Sequence, residues 1–226
     1  LAALIRDRDI YLISDEVYEH LVFDGVAHTS VLSHDELYPR SFVVSSFGKT
    51  YHVTGWKTGY VVAPPALSAE LRKVHQYVNF CGVTPLQWAL ADYMAGHPEH
   101  LRQLPGFYQA KRDLFCDLLL DSRFRFTRAP GTYFQCVDYS AIRPDLDDVA
   151  MAEWLTREHG GAASPVSVFY EKAPDAMRLV RFCYAKREET LRQAAEKLCA
   201  IRRFCRTWTS PWSNPPWSGT TPRPTA

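Results

Sequence analysis

Val43 to Tyr60 reads VVSSFGKTYHVTGWKTGY. An apolar run enters a corner of small residues, the corner carries Lys49, and Lys57 follows eight residues later. Lysine is costly to bury and ordinarily decorates a surface. Here it stands between a strand and a Gly/Thr/Tyr/His loop, where chains present chemistry rather than solubility.

The stretches on either side fix the fold class. "DIYLISDE", "SFVVSSF" and "GYVVAPP" are near-continuous apolar runs, which predict parallel strands covered on both faces and hence an α/β architecture. "SAELRKVHQYVNF" has helical spacing, with Ser68 as its N-cap. "TPLQWALADYMAG" repeats the device: Thr84 caps, Pro85 takes the first helical position and Gly96 stops the helix. A longer helix is expected from Pro105 to Leu120. After Ser122 the texture alternates, and "RFRFTRAP", "GTYFQCVDYS" and "RLVRFCYAK" predict an antiparallel sheet with one wetter face. Helices "LDDVAMAEWLTREHG" and "REETLRQAAEKLCAI" accompany it. Residues 1–103 are therefore expected to form a mostly parallel part, and 104–205 a smaller α+β part.

Residues 206–226 differ in composition, holding three of the six tryptophans and five of the fifteen prolines. Without periodicity such a tail cannot bury a core of its own. It reads as a disordered or foreign extension, or as a Pro/Trp-rich ligand for a recognition domain.

Bulk properties exclude several classes. The formal net charge of +1 gives no electrostatic case for nucleic acid or an anionic membrane. No apolar run approaches the roughly 18 residues of a membrane span. Six cysteines without a CxxC pair argue against a disulfide scaffold or a zinc site, and predict a reducing, cytoplasmic setting. No metal is expected; "GHPEHL", with His97 and His100, reads as a helix boundary. "LAALIRDR" at the start looks like the end of an amphipathic helix, so the chain is expected to be part of a larger protein.

Gly48-Lys49-Thr50 invites comparison with a phosphate-binding P-loop, but the glycine required five residues before the GK pair is replaced by Val43. Another lysine chemistry suits the surroundings: condensation with the aldehyde of pyridoxal 5'-phosphate. That cofactor needs an anion at its ring nitrogen, a donor at its phenolic oxygen, and hydroxyl and cationic groups at its phosphate. Asp15 and Tyr18 follow the first strand, and Ser46 and Lys57 flank Lys49. Strand C-termini of an open parallel sheet are where ligands bind. Arg181 interrupts an apolar strand, where an unpaired guanidinium is expensive. A bound carboxylate or a structural ion pair resolves that cost equally well. Arg178 reads as a surface charge. Trp56, Tyr133 and Phe134 read as core packing, His52 and His75 as structural, and Tyr170 as a candidate wall of a substrate pocket.

"SDEVYEHLVFDG", "SSFGKTYHVTGWKTGY" and "VRFCYAK" resemble the fold-type I, pyridoxal-phosphate-dependent class I/II aminotransferases, above all the methionine, kynurenine and glutamine branch. The resemblance runs from Leu1 to about Ile201. It implies that Lys49 is the Schiff-base lysine and proton carrier, that Asp15 faces the pyridine nitrogen and that Tyr18 lies near the 3-oxygen. It further implies that Ser46 and Lys57 hold the phosphate, that Arg181 grips the α-carboxylate of an amino acid or 2-oxo acid, and that the intact parent is a homodimer. The family's front half, with its phosphate loop and its asparagine motif, does not appear. The chain as given is therefore expected to have little activity alone. A carbon–sulfur β-lyase on the same cofactor, or a non-catalytic truncated fragment, is the alternative.

Overall fold

The computed structural model describes residues 1–201. The 206–226 stretch and Cys205 lie outside the described residues. In chain order come α1 (Ala2–Ile5), β1 (Leu12–Asp15), β2 (Ser41–Ser46), α2 (Phe47–Thr50), β3 (Gly59–Val62), α3 (Pro65–Val78), α4 (Thr84–Gly96) and α5 (His100–Leu119). There follow β4 (Phe134–Asp138), α6 (Asp148–His159), β5 (Ser164–Pro165), β6 (Leu179–Cys183) and α7 (Glu188–Cys199). Two three-stranded sheets result, ordered β1-β2-β3 and β4-β6-β5.

The first sheet departs from the expectation of parallel pairing throughout. β1 and β2 are parallel, Asp15 standing opposite Val44, but β3 runs antiparallel to β2, with Ser46 opposite Gly59. Between β2 and β3 lie only the four-residue α2 and a 3-10 turn over Thr54–Trp56. Such a connection lacks the full crossover helix that a parallel neighbour requires. Nor are the strands covered on both faces. In β2 Ser41, Val43 and Ser45 are buried, whereas Ile13 in β1 is 79% exposed and all four residues of β3 are exposed. No described element lies over that surface.

Three helix starts differ from the sequence reading. Pro65, with its φ preset for a first turn, begins α3 three residues before Ser68. The Ser68 hydroxyl instead donates back to Ala63 O at 3.0 Å. Val83 rather than Thr84 is the cap of α4, which moves Pro85 to the second position. α5 begins at His100 and contains Pro105. Burial of Leu104 and Tyr108 on either side outweighs the one backbone bond the proline removes.

The second sheet is antiparallel, as expected, with Phe134 opposite Cys183 and Cys136 opposite Arg181. "RFRFTRAP" contributes only an isolated bridge, Arg125 to Asp138. The reason is the buried Gln135 side chain, which accepts from Ala129 N and donates to Thr127 O, so these backbone groups bond a side chain instead of a ladder. The short β5 had no signal in the sequence.

One core lies where α5 and α7 cover this sheet, with Leu119, Phe182, Leu191 and Leu198 buried together. Leu21 and Phe23, from the loop after β1, enter the same core. Arg112, with a side chain only 2% exposed, ties that loop down through Asp24, Asp113 and the Ala129 carbonyl. Arg178 is not a free surface charge: its guanidinium donates to the carbonyls of Pro144, Asp175 and Met177.

Candidate active site

Because β1 and β2 are parallel, their carboxyl ends emerge at one edge of the sheet. Asp15 closes β1 there. Its Oδ1 accepts from Val17 N at 3.2 Å, and among the described residues it meets no cation. Ser46 closes β2 and caps α2, its hydroxyl accepting from Gly48 N at 3.0 Å. Its own proton has only a long 3.4 Å contact to Thr58 O. A donor so weakly held is available to an anion.

Lys49 rides the middle of the α2 turn, which is held at several backbone points. Thr54 Oγ1 donates to Gly48 O at 3.1 Å, and His100 Nε2 donates to Thr50 O at 2.7 Å. Residue 48 must be glycine, because a Cβ there would stand 2.9 Å from Thr54 Cα, closer than side chains tolerate. The Lys49 ammonium has no hydrogen bond or ion pair among the described residues; Nζ lies over the face of Tyr133, 5.6 Å from its centroid. It shares a cavity of about 300 Å³ with His52, Thr54, Tyr108, Tyr133, Cys183 and other residues. Lys57 follows the 3-10 turn in a left-handed conformation (φ 53°), exposed and without a polar partner among the described residues.

From Lys49 an aromatic chain leads to the second sheet. Tyr133 meets Tyr18 edge-on at 5.2 Å, and Tyr18 meets Phe134 at 6.3 Å. Phe134 in turn lies 3.9 Å from the guanidinium carbon of Arg181. Burial, then the adjacent Tyr133 hydroxyl, pushes the Tyr18 phenol well above the ordinary tyrosine value; Arg181 pulls the other way. Tyr18 is thus a neutral donor at neutral pH. The Arg181 guanidinium lies over both Phe134 and Phe169, and its buried Nε has no partner among the described residues. No structural ion pair with an Asp or Glu forms among the described residues, so that account of its cost is set aside.

The structure therefore brings Tyr18, Lys49 and Arg181 into one connected group and leaves Asp15, Ser46 and Lys57 on the adjoining sheet edge. Tyr133 and Phe134 are part of the group rather than plain core. Phe169, not the 51% exposed Tyr170, faces Arg181. Thr132, just before this aromatic pair, holds φ at 68°, a strained value for a β-branched residue. Its N–H donates to Leu21 O at 2.7 Å, and its hydroxyl accepts from Phe134 N at 3.0 Å. His52 also carries a positive φ, and its ring meets Tyr108 rather than a carboxylate. No signal short of the fold exposes the parts played by Thr54, His100 and Phe169.

This donor set fits pyridoxal phosphate. Among the described residues the amine, the carboxylate, the second lysine and the guanidinium each lack an opposite charge, and groups of these kinds suit an aldehyde, a pyridinium, a phosphate and a substrate carboxylate.

Residues 1–198 match the family model for aminotransferase class I and II. The chain is 54% identical over 194 residues to methionine aminotransferase of Escherichia coli (strain K12), covering 86% of this chain and 50% of that protein. It is 37% identical to kynurenine–oxoglutarate transaminase 3 of Rattus norvegicus, covering 93% and 48%. Among solved structures, YbdL from Escherichia coli, identified with a methionine aminotransferase function, superposes with a TM-score of 0.82 at 52% identity over 87% of this chain and 51% of that one. N-succinyldiaminopimelate aminotransferase from Mycobacterium tuberculosis gives a TM-score of 0.78 at 33% identity, over 86% and 50%. The chain spans about half the length of these relatives.

Proposed function

We propose, because the chain belongs to the class I and II aminotransferases, that it carries the lysine-bearing half of a pyridoxal 5'-phosphate site. The fold is a partial fold-type I transferase, a mixed sheet joined to an α+β part. In our reading, the enzyme built from it moves an α-amino group from methionine or an aromatic or kynurenine-like amino acid to a 2-oxo acid, as a homodimer. Residues 1–103 serve as the cofactor part and 104–205 as the small domain. A reducing, cytoplasmic location, which the scattered cysteines suggest, belongs to the same reading.

The bound cofactor supplies an aldehyde for the amine and a ring that withdraws electrons from the substrate's α-carbon. Lys49, as a free base, would take up the proton of that carbon and hold it on its amine. Arg181 would grip the α-carboxylate through its terminal N–H groups. Tyr18 would hydrogen-bond the 3-oxygen, Asp15 would hold the ring-nitrogen proton, and Ser46 and Lys57 would hold the phosphate. One observation supports the reading above the others. Among the described residues the Lys49 amine has no polar partner, and it is linked through Tyr133, Tyr18 and Phe134 to an arginine that is also short of one.

The test is chemical. Incubate the full chain with pyridoxal phosphate, reduce with borohydride and map the peptides. A pyridoxyl group concentrated on Lys49 is expected; labels spread evenly over exposed lysines would sink the assignment.

A further inference from the structure

Two side chains from α5 hold the loop that carries Lys49, and neither has a part in the chemistry above. His100 Nε2 donates to Thr50 O at 2.7 Å, which fixes its tautomer and leaves Nδ1 to accept the long 3.4 Å contact from the Tyr93 hydroxyl. Its ring stacks on Tyr51 with centroids 4.9 Å apart. Just over two turns further along α5, wedged beside the same loop, the buried Tyr108 hydroxyl lies 3.1 Å from Nδ1 of His52. His52 sits two residues beyond Thr50 at φ 58°, a conformation that a non-glycine residue keeps only when its surroundings impose it. Its ring meets His100 at 5.8 Å, Phe107 at 5.8 Å and Tyr108 at 5.7 Å.

We propose that His100 and Tyr108 are positioning residues for the Lys49 amine: His100 pins the carbonyl that follows it, and Tyr108 pins the strained His52. Among the described residues, no other side chain of α5 hydrogen-bonds to the loop between β2 and β3. Lys49, His52 and Tyr108 line the same cavity, and the Tyr108 ring also packs 5.8 Å from Tyr133, the ring over which Nζ lies. α5 therefore sets the height of the turn through two contacts and the floor under the amine through a third. A reacting group displaced by about 1 Å can lose on the order of a hundredfold in rate, so the effect of such anchors is kinetic.

The groups facing His52 oppose its protonation. Burial, then His100 and Lys111, holds it below the ordinary histidine value. Lys49 and Lys186 share its cavity. No carboxylate bonds to His52 or His100 among the described residues. At neutral pH His52 is the acceptor the Tyr108 hydroxyl requires.

The proposal rests on Lys49 being the reactive amine, so two probes are needed. In the full chain, compare labelling of individual lysines by pyridoxal phosphate with borohydride, and by trinitrobenzenesulfonate, which needs no cofactor site. His100→Ala should slow labelling of Lys49 by pyridoxal phosphate about tenfold and change its rate with trinitrobenzenesulfonate, while the exposed Lys172, outside this loop, is unchanged. Tyr108→Phe, which keeps the buried ring, should slow it several-fold. His100→Gln, which retains a donor near the Nε2 position, should restore most of the rate; a merely structural loss would show no such rescue and would lower the melting temperature in step. Unchanged Lys49 rates with both reagents in His100→Ala and Tyr108→Phe overturn the proposal. Absence of a Lys49 preference for pyridoxal phosphate in the parent, with trinitrobenzenesulfonate still responding to the variants, overturns the cofactor reading and leaves the positioning role standing.

Discussion

The guanidinium carbon of Arg181 lies 3.9 Å from the ring centroid of Phe134, and the Phe169 ring covers it at 4.7 Å. Both rings stand over the charge and Nε is buried, so a planar anion would be met by the terminal N–H groups. Removing one face should weaken that anion's binding. Phe134→Leu is expected to loosen a 2-oxo acid titrated into the chain about tenfold, since a desolvated cation–π contact is worth about 1–2 kcal/mol. Phe134→Tyr, which keeps the face, should stay near the parent. Chemical-shift titration reads both, and equal affinities in all three would remove the ring contact from the account.

At Lys49 the expectation is qualitative. Lys49→Arg retains the charge over Tyr133 but no longer offers an amine to an aldehyde. The variant should melt within about 1 °C of the parent, because an exposed or half-buried charge swap costs little. It should take no borohydride-stable adduct at position 49. Were the total label per chain to stay the same, surface lysines would account for it and Lys49 would have no special status.

The strand–turn–strand core of the site was readable because its signals are local. An apolar run followed by a small-residue corner marks β2 and places Lys49 just beyond it, whereas the α2 turn and its Ser46 cap were not read. Asp15, Tyr18 and Arg181 were legible only as a set ordered like a known family's. What stayed hidden depends on tertiary contact. The antiparallel turn of β3 is decided by the shortness of a connection, and the failure of "RFRFTRAP" as a strand by one buried glutamine. His100 looked like a helix boundary, and it is one; that it also reaches Thr50, fifty residues away, has no sequence signature.

The exposed face of the first sheet leads to a prediction about the chain by itself. Ile13 is 79% exposed, and on α3 and α4 Tyr77 and Trp88 are 85% and 67% exposed. Apolar surface on that scale associates or is covered. Amino transfer from methionine to a 2-oxo acid by this chain alone should remain at background. Scattering should show concentration-dependent association that Tyr77→Lys with Trp88→Lys reduces. Turnover comparable to full-length relatives would refute the first half, and a monomer at all concentrations the second.

Arg112 gives a stability test away from the chemistry. Its side chain is 2% exposed and donates to both Asp24 carboxylate oxygens, to Asp113 and to Ala129 O. Arg112→Ala leaves these acceptors facing a void and should cost about 3 kcal/mol, the low end for a broken buried pair because Asp24 is half exposed. Asp24→Asn keeps most of the geometry and should cost less. Urea midpoints measure both. A loss below about 1 kcal/mol in Arg112→Ala would mean that solvent replaces the network freely.

Acid stability should be governed by two buried carboxylates. Glu16 accepts from Ser14 Oγ at 3.0 Å and Val31 N at 3.1 Å, and lies 2.9 Å from His28 Nε2. Burial alone would raise its pKa, but hydrogen bonds from His28, Ser30, Val31 and Ser14 outweigh burial and hold it below the ordinary glutamate value. At Asp148 burial again opposes, and the Ser167 backbone N–H, with smaller contributions, leaves the carboxyl lowered. A carboxyl depressed in the folded state binds its proton more readily when unfolded. Its stabilisation is therefore complete above the unfolded pKa, about 4 for these groups. It drains away as the pH falls from there through the lower folded value. The melting temperature should be nearly flat from pH 7 to about 5 and then fall steeply. Glu16→Gln should lower the neutral plateau and flatten the acid fall, because an amide has no proton to gain. If the variant lost stability in acid as steeply as the parent, Glu16 would not be one of the groups that set the slope.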